Sequence, residues 1–389
     1  MKKLVLFGAG KIGRSFIGQL FSRGGYEVVF IDIFQPVIDA LNQQRKYKII
    51  IKSNSGDNVL MVENVRAVLA SETEKVISEL LTADIAAVSV GQQGLPMVIE
   101  LLAEALRRRH TPLDCIIAEN LRDAAEYFAE EIKKINGHNF PVHERAGLIE
   151  TSIGKMVPIM LKKDVEQDIL QVFAEPYNTL ILDKKGFKNP VPDIEGLAPK
   201  DNMKAWVDRK LFIHNLGHAA TAYLGYQKNP QWKYIWEVLG DEKIKDQVRE
   251  TMMESAQILM AIYTYEFSFG QLMDHIEDLL TRFENKALGD TVFRVGCDLQ
   301  RKLGRNDRLA GAIVNAQKTG LSYHLILQAL AAGFTFRATD EDNCMHPGDI
   351  EFAQLFKENG YKAILSNICG FDPVKDKQIF NHPIFTSFN

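Results

Sequence analysis

Short apolar runs alternate with segments of helical periodicity over the first thirty residues. Residues 4–7 are all apolar and rich in branched and aromatic side chains, which is typical of a buried parallel strand. Residues 14–21 carry apolar side chains at helical spacing, and two glycines follow at positions 24 and 25. A second apolar run spans residues 26–31. The pattern predicts a strand, a helix and a second, parallel strand.

The same alternation continues to about residue 184 and then stops. Residues 84–91 and 115–120 each predict a central strand, and residues 121–135 predict an amphipathic helix. Residues 185–192 and 196–199 predict a linker, and beyond residue 201 the chain is mostly helical in pattern. We therefore expect an α/β protein: a Rossmann-type doubly wound sheet over residues 1–184, and a mainly α-helical domain over residues 185–389.

The turn after the first predicted strand has the spacing of a dinucleotide-binding motif. Gly8, Gly10 and Gly13 form G-x-G-x-x-G, and Asp32 follows the last glycine by nineteen residues, at the end of the second strand. The first glycine permits the tight turn, the second lets the backbone approach a pyrophosphate, and the third allows the helix to pack on the strand. Asp32 would accept hydrogen bonds from ribose hydroxyls and repel a 2′-phosphate, which favours NAD over NADP.

The alternative is a glycine-rich turn before an ordinary surface helix, with Asp32 simply solvated. Arg14 follows the last glycine directly, and it either faces the pyrophosphate or is an exposed arginine.

Polar residues and a glycine also follow two further predicted strands. Gly91 comes after Val90, and Glu119 and Asn120 end the strand that begins near residue 115. Ligands of open α/β sheets lie beyond the carboxyl ends of the strands, so we expect these four residues along a cofactor cleft. Glu119 and Asn120 could equally cap the helix that follows them.

Composition narrows the class of protein but not its function. The 389 residues are 46% hydrophobic and 25% charged, and 46 Lys and Arg nearly balance 50 Asp and Glu. This excludes collagen-like, disulfide-rich and disordered classes, and it gives no basic field for nucleic acid or an anionic membrane. The four cysteines are far apart and form no C-x-x-C pair, so we expect neither a disulfide framework nor a metal site. With no signal-peptide pattern at its start, the chain is expected in the cytoplasm.

A predicted helix over residues 202–224 carries the most informative polar residues. Lys210, Asn215 and His218 form K-x-x-x-x-N-x-x-H. At about 100° per residue, Asn215 lies about 140° and His218 about 80° around the axis from Lys210, so the three polar groups can converge. His214 lies one turn after Lys210 and competes with His218. The alternative without a catalytic role is an ordinary amphipathic helix, in which the lysine is solvated and the other two polar residues are hydrogen-bonded.

This trio suits the oxidation of a secondary alcohol. That reaction needs a base for the hydroxyl proton and donors that stabilise the developing alkoxide. A lysine whose pKa is lowered by burial can be that base without a metal. Asn215 and His218 are neighbours on one helix face and can donate to the same oxygen.

These residues bring the chain close to a known family: it resembles the polyol-specific long-chain dehydrogenases. The opening F-G-A-G-K-I-G-R, the A-E-N strand end and R-K-L-F followed by N-L-G-H-A carry the likeness, which extends over nearly the whole chain. Its further segments are residues 187–188, 192–196, 282–285, 301–303 and 307–309.

The resemblance implies a metal-independent, NAD-dependent dehydrogenase. It implies that Lys210 is the general base and that Asn215 and His218 position and polarise the reacting oxygen, which favours His218 over His214. It also places Asn120 beside the nicotinamide or the lysine. The expected reaction is the interconversion of mannitol 1-phosphate and fructose 6-phosphate.

The chain departs from the family pattern at two places. Members commonly carry a V-D-R-I-V-P-like segment, whereas residues 153–158 are I-G-K-M-V-P, with Gly154 for the aspartate and Lys155 for the arginine. The common Asn-Pro after R-F-x is Asn285-Lys286 here.

Alternative functions therefore stay open. They are reduction of a sugar acid of the mannonate or tagaturonate type, oxidation of free mannitol, and an NAD-binding regulatory protein without turnover. A phosphorylated substrate needs cationic partners. The candidates are Arg294, Arg301, Lys302, Arg305 and Arg308.

Overall fold

The computed structural model describes residues 1–388, which form two compact units. The first unit extends from Met1 to Trp206, and the second begins at Val207.

An eight-stranded sheet organises the first unit. A smaller, three-stranded sheet accompanies it, and the strands of both sheets are numbered together in chain order. They are β1 Lys2–Phe7, β2 Tyr26–Asp32, β3 Lys46–Ile51, β4 Asn58–Glu63, β5 Val65–Leu69, β6 Ile85–Val88, β7 Leu113–Ile117, β8 Ala146–Ser152, β9 Val172–Ala174, β10 Leu180–Asp183 and β11 Leu197–Lys200. The large sheet has the order β11-β10-β8-β7-β6-β1-β2-β5 and is parallel except where β10 meets β8. The small sheet has the order β4-β3-β9.

Strand β1 lies where the strand order reverses. It pairs with β2 on one side and with β6 on the other, and both pairings are parallel. In open α/β sheets a ligand binds in the crevice at the carboxyl end of this switch point. The turn after β1 therefore occupies the place where a nucleotide is expected.

Two apolar cores cover the two faces of this sheet. Because successive side chains of a strand point to opposite faces, Val5 and Phe7 enter one core, and Leu4 and Leu6 enter the other. The helices of this unit are α1 Gln19–Arg23, α2 Gln35–Gln44, α3 Thr73–Leu81, α4 Leu95–Arg108, α5 Ala124–Asn136, α6 Val142–Arg145 and α7 Lys162–Gln167. A π-helical turn, Gly13–Gly18, leads into α1, and short 3₁₀ turns span Gln92–Gly94 and Lys184–Gly186.

The second unit is helical, and its one β-type pairing within the described residues is a bridge between Tyr234 and Thr291. Helix α8, Met203–Arg209, precedes a π-helical turn, Lys210–Asn215. The other α-helices are α9 Leu216–Lys228, α10 Ile235–Leu239, α11 Glu242–Ile262, α12 Phe269–Phe283, α13 Val292–Gly296, α14 Leu299–Lys302, α15 Ala310–Thr319, α16 His324–Gly333, α17 Pro347–Ala363 and α18 Lys377–Phe380. Shorter turns span Lys286–Leu288, Ile364–Ile368 and Pro383–Phe388. Over residues 1–388, none of the helices combines the length and apolar character needed to cross a bilayer.

The predicted fold class is confirmed, with one correction at the linker. Residues 196–199 were expected to continue a loop, but Leu197–Lys200 is strand β11, which pairs in parallel with β10 from Leu180↔Leu197 onward. The two compact units divide between Trp206 and Val207. The loop prediction failed because the strand identity of residues 197–200 comes from long-range pairing, which the glycines and prolines of this segment did not indicate.

Candidate active site

The turn after β1 has the geometry that its glycines predict. Gly8 has a φ of +97°, and its N–H donates to the Ile31 carbonyl at 2.7 Å. A Cβ at Gly8 would collide with the Ser89 carbonyl oxygen, and a Cβ at Gly13 would collide with that of Gly8. Gly10 differs, because a Cβ there would meet no atom within 4 Å. Gly8 and Gly13 are thus required by the fold itself, whereas Gly10 borders open space.

Asp32 is fixed beside this turn at the carboxyl end of β2. One carboxylate oxygen accepts the N–H of Ala9 at 2.6 Å, and the other accepts the N–H of Phe34 at 2.9 Å. A glycine turn, the start of a helix and a carboxylate held at its edge together fit the pyrophosphate and ribose of a dinucleotide.

Glu119 joins two strand ends rather than capping a helix. Its Oε1 accepts the N–H groups of Val90 at 2.6 Å and of Gly91 at 2.9 Å. Burial raises the pKa of Glu119, and these two hydrogen bonds oppose that rise. Since α5 begins later, with Asp123 at its N-cap, the capping interpretation of Glu119 is wrong. Gly91 has a φ of +78°, and Asn120 is exposed beyond β7.

Arg14 has neither of its two predicted positions. It is buried, and its Nη1 donates to the carbonyls of Ile169 at 3.0 Å and Leu170 at 2.7 Å. Tyr47 donates its hydroxyl to the Arg14 carbonyl at 2.8 Å. Arg14 therefore ties the segment before β9 to the first helix.

Lys155, one of the departures from the family pattern, is also buried in the first unit. Its Nζ donates to the Tyr177 carbonyl at 2.7 Å and to the Asn178 side chain at 3.0 Å. The same ammonium lies 5.1 Å from the centroid of the Phe16 ring. These contacts hold residues 153–158 against the segment before β10.

In the second unit, Lys210 and Asn215 lie at the two ends of the π-helical turn. Leu216 donates its N–H to the Leu211 carbonyl, five residues earlier, instead of forming only α-helical bonds. A π-helical turn contains more residues than an α-helical turn. Residues five apart therefore lie closer around the axis than the α-helical estimate allowed, which brings Lys210 and Asn215 toward one face. Such turns are frequent at functional sites.

Lys210 has the electrostatic surroundings of a base. It is half-buried, and desolvation together with the positive charge of Arg308 lowers its pKa to about 8. Nη1 of Arg308 lies 3.5 Å from the Asn215 carbonyl, so the arginine is anchored on the same turn. An amine with this pKa is substantially neutral near pH 8 and can accept a proton there.

His218 combines ring stacking with a lowered pKa. It stacks on Phe283 with a centroid distance of 4.4 Å and an interplanar angle of 3°. Burial, followed by the charges of Arg294, Arg308, Lys302 and Arg282, lowers the pKa of His218 to about 3. His214 is more deeply buried, and burial also lowers its pKa well below the usual value.

All five basic candidates for a phosphate have partners in the protein, and three of them also lower the pKa of His218. Arg294, Lys302 and Arg308 are the three whose charges lower the pKa of the imidazole. Arg301 pairs with Asp298 and Asp307, and Arg305 pairs with Asp376 and donates to the Gly370 carbonyl.

Sequence reasoning missed two neighbours of His218, namely Phe283 as its stacking partner and Asp290 as its facing carboxylate. Phe283 had a signal, because it belongs to the R-F-E-N segment. Asp290 had none, because nothing local distinguishes it from other acids. Within residues 1–388, no three His, Cys, Asp or Glu side chains are grouped so as to hold a metal ion.

A dinucleotide-type turn at the switch point of a parallel sheet, together with a half-buried lysine on a helical unit, defines a Rossmann-type dehydrogenase. Family models agree: residues 2–196 match the mannitol dehydrogenase Rossmann domain, and residues 202–388 match the mannitol dehydrogenase C-terminal domain. The chain belongs to the mannitol dehydrogenase family. The family predicted from the sequence is thereby confirmed.

Curated relatives match the chain over almost its whole length. It is 30% identical over 379 residues to mannitol-1-phosphate 5-dehydrogenase of Streptococcus mutans serotype c (strain ATCC 700610 / UA159), covering 95% of each chain. It is 31% identical over 369 residues to the protein of that name from Bacillus subtilis (strain 168), covering 94% of each.

Solved structures share the fold at low sequence identity. A substrate-free D-sorbitol dehydrogenase matches with a TM-score of 0.80 at 17% identity, over 99% of this chain and 94% of that one. Pseudomonas fluorescens mannitol 2-dehydrogenase, in a ternary complex with NAD and D-mannitol, matches with a TM-score of 0.74 at 16% identity, over 97% and 89% of the two chains.

Proposed function

We propose that the protein is an NAD-dependent dehydrogenase that interconverts mannitol 1-phosphate and fructose 6-phosphate, with Lys210 as the general base. One observation carries the proposal. The two mannitol-1-phosphate 5-dehydrogenases match over about 95% of the chain, and the match includes the helical unit in which Lys210, Asn215 and His218 are assembled.

NAD is the proposed cofactor, with Gly8, Gly10, Gly13, Asp32, Gly91, Glu119 and Asn120 as its binding residues. When bound, NAD supplies the acceptor for the hydride of the alcohol carbon. The open space beside Gly10 leaves room for a pyrophosphate to approach the backbone. The charge of Asp32, fixed by Ala9 and Phe34, supports NAD over NADP because it would repel a 2′-phosphate.

In the direction of oxidation, the neutral amine of Lys210 accepts the hydroxyl proton as the carbon–oxygen bond gains double-bond character. The lowered pKa supports this role, because an ordinary lysine would be almost fully protonated at neutral pH. In the direction of reduction, the protonated amine returns the proton to the alkoxide.

Asn215 and His218 are proposed to position the reacting oxygen. Asn215 lies on the same π-helical turn as the base, and its amide offers donors for the developing negative charge. His218 lies on the adjoining helix, α9, where Phe283 fixes its ring plane. The stacking fixes the plane of the imidazole, which favours precise contact with substrate.

For the phosphate of the substrate we propose Arg294, Lys302 and Arg308 as partners. A phosphate dianion requires several cationic or donor groups, and these three charges already act on the imidazole. Arg301 and Arg305 are weaker candidates, because their charges are not among the main ones that lower the pKa of His218.

A steady-state panel tests the proposal and separates it from its alternatives. Fructose 6-phosphate, fructose, fructuronate and tagaturonate are each reduced with NADH, and kcat/KM is compared. We expect fructose 6-phosphate to be preferred. A preference for fructose or for either sugar acid would overturn the substrate, and NADH binding without turnover of any of them would indicate the regulatory alternative. The cytoplasmic location stays a prediction.

A further inference from the structure

A buried carboxylate faces His218 without a hydrogen bond to it. Oδ2 of Asp290 lies 3.5 Å from Nε2 of His218, and the Asp290 side chain is 4% exposed. Nε2 is buried and has no hydrogen-bond partner among the described residues. A buried polar nitrogen without a hydrogen-bond partner destabilises the folded state.

The position of the hydrogen on the imidazole ring decides whether His218 and Asp290 can form a hydrogen bond. A neutral imidazole carries one N–H, on either Nδ1 or Nε2, and the other nitrogen offers a lone pair. A lone pair on Nε2 would point at a carboxylate, which is acceptor-only and would repel it. A hydrogen on Nε2 instead points at an acceptor, and a small shift of either side chain completes the bond.

Asp290 is itself held from two directions. Its other oxygen, Oδ1, pairs with the Arg294 guanidinium, one helical turn later in the chain. Its carbonyl accepts the N–H of Ile235 at 2.9 Å, which anchors the backbone. The carboxylate therefore has one oxygen beside Arg294 and the other facing His218.

We propose that Asp290 is a positioning residue that holds His218 in the Nε2–H tautomer, so that Nδ1 is a hydrogen-bond acceptor for a substrate hydroxyl. The inference rests on the proposed function for the identity of the substrate. It changes the role of His218, because an acceptor cannot stabilise the alkoxide. That task then falls to Asn215 and to the ammonium of Lys210 once it has taken the proton.

The substitution Asp290→Asn tests the tautomer directly. An amide has one oxygen, and Arg294, which only donates, retains it. The NH₂ group of the new amide would then face Nε2 and force the hydrogen onto Nδ1. The histidine is labelled with ¹⁵N, and the His218 signals are assigned by their loss in His218→Ala. We expect Nε2–H in the parent protein and Nδ1–H in Asp290→Asn, without any substrate present.

Asp298→Asn is the matched control. Asp298 also pairs with an arginine, Arg301, in the same part of the chain, and it is 33% exposed. Asparagine tolerates its positive φ of 71°. We expect this variant to keep the parent tautomer and the parent kinetics. A parent protein with Nδ1–H or a charged imidazole, or an unchanged tautomer in Asp290→Asn, would overturn the inference.

Kinetics distinguish positioning from a general loss of structure. We expect Asp290→Asn to lower kcat/KM for fructose 6-phosphate about 10- to 100-fold, as lost orienting partners of histidines do elsewhere, with an unchanged NADH dissociation constant. In the His218→Ala background the same substitution should cost much less, because only its effect through Arg294 remains. An equal loss in both backgrounds would show that Asp290 acts on structure and overturn the inference. Absence of turnover in the parent would refute the proposed function but leave the tautomer result standing.

Discussion

The glycine turn of the first unit, residues 8–13, and the lysine helix of the second, residues 210–218, are both proposed to bind a reactant. They depend on opposite properties of the chain. In the glycine turn the requirement is the absence of side chains, since a Cβ at Gly8 or Gly13 would meet backbone oxygen. In the lysine helix the requirement is a set of side chains whose properties come from burial and neighbouring charge. Backbone geometry is local in sequence, whereas burial and charge are assembled from distant elements.

The two regions should therefore respond differently to substitution. Changes at the lysine helix are expected to reduce turnover while the cofactor still binds. Changes at the open glycine are expected to reduce cofactor affinity while the protonation chemistry is unaffected.

Replacing the proposed base should have the largest effect. Lys210→Met keeps the apolar length of the side chain and removes the amine, and general-base catalysis contributes about 10²–10⁴-fold. We expect kcat for mannitol 1-phosphate oxidation to fall by about that factor, with the NADH dissociation constant unchanged in a fluorescence titration.

Lys204→Met is the control for this substitution, because Lys204 is exposed on the preceding helix. It should turn over like the parent. Near-parent activity of Lys210→Met would remove the lysine from its proposed role.

Gly10→Ala should act on the cofactor alone. The new Cβ meets no protein atom within 4 Å, so the melting temperature should stay the same. The methyl group would instead displace the pyrophosphate from the backbone, and we expect NADH affinity to fall about 10- to 100-fold.

Gly270→Ala is the counterpart in the second unit, where a Cβ also meets nothing within 4 Å. It should leave NADH affinity unchanged and raise the melting temperature slightly, because alanine is favoured over glycine in a helix. If Gly10→Ala bound NADH as well as the parent, the pyrophosphate would not approach this backbone.

Asp32→Asn should shift cofactor preference by a smaller amount. The amide removes the charge that repels a 2′-phosphate, and we expect the ratio of kcat/KM for NADH over NADPH to fall about tenfold, which corresponds to about 1.4 kcal/mol. Asp39→Asn, on the exposed side of α2, should leave the ratio unchanged. A parent protein that already prefers NADPH would contradict the role given to Asp32.

Much of the first unit could be predicted because its signals are short-range. Strands β1 and β2, the turn between them and Asp32 appear in the structure where hydrophobic runs and glycines indicate. Strand β11 was missed because its identity depends on pairing with β10, and a segment containing Pro199 carries little strand signal of its own. Arg14 was misplaced for a similar reason, since its carbonyl partners lie in a distant segment.

In the second unit the sequence proposes the members of the site, but it does not predict their electrostatic surroundings. Spacing and family resemblance selected Lys210, Asn215 and His218, and the structure confirms one continuous helical segment containing them. The angles predicted around the helix axis from Lys210 were wrong in detail, because residues 210–215 form a π-helical turn and not an α-helical one. Burial of Lys210, stacking of Phe283 and the approach of Asp290 arise only when α9 and the segments near residues 283 and 290 meet.

The smallest expected effect is a change in pH dependence through Arg308. Lys210 must be neutral to accept a proton, so kcat for oxidation should rise with pH and level off above its pKa of about 8, whereas reduction should decline above that value. Arg308→Gln removes a positive charge that disfavours the protonated amine, so the pKa of Lys210 should rise and the oxidation profile should move to higher pH. A shift of half a unit in the pKa of Lys210 would lower the fraction of neutral lysine about threefold on the acid side of the profile.

Arg301→Gln, which removes an exposed arginine paired with Asp298, should leave the profile in place. A profile that moved to lower pH in Arg308→Gln, or one equally displaced in both variants, would show that the lysine is not tuned by this neighbour.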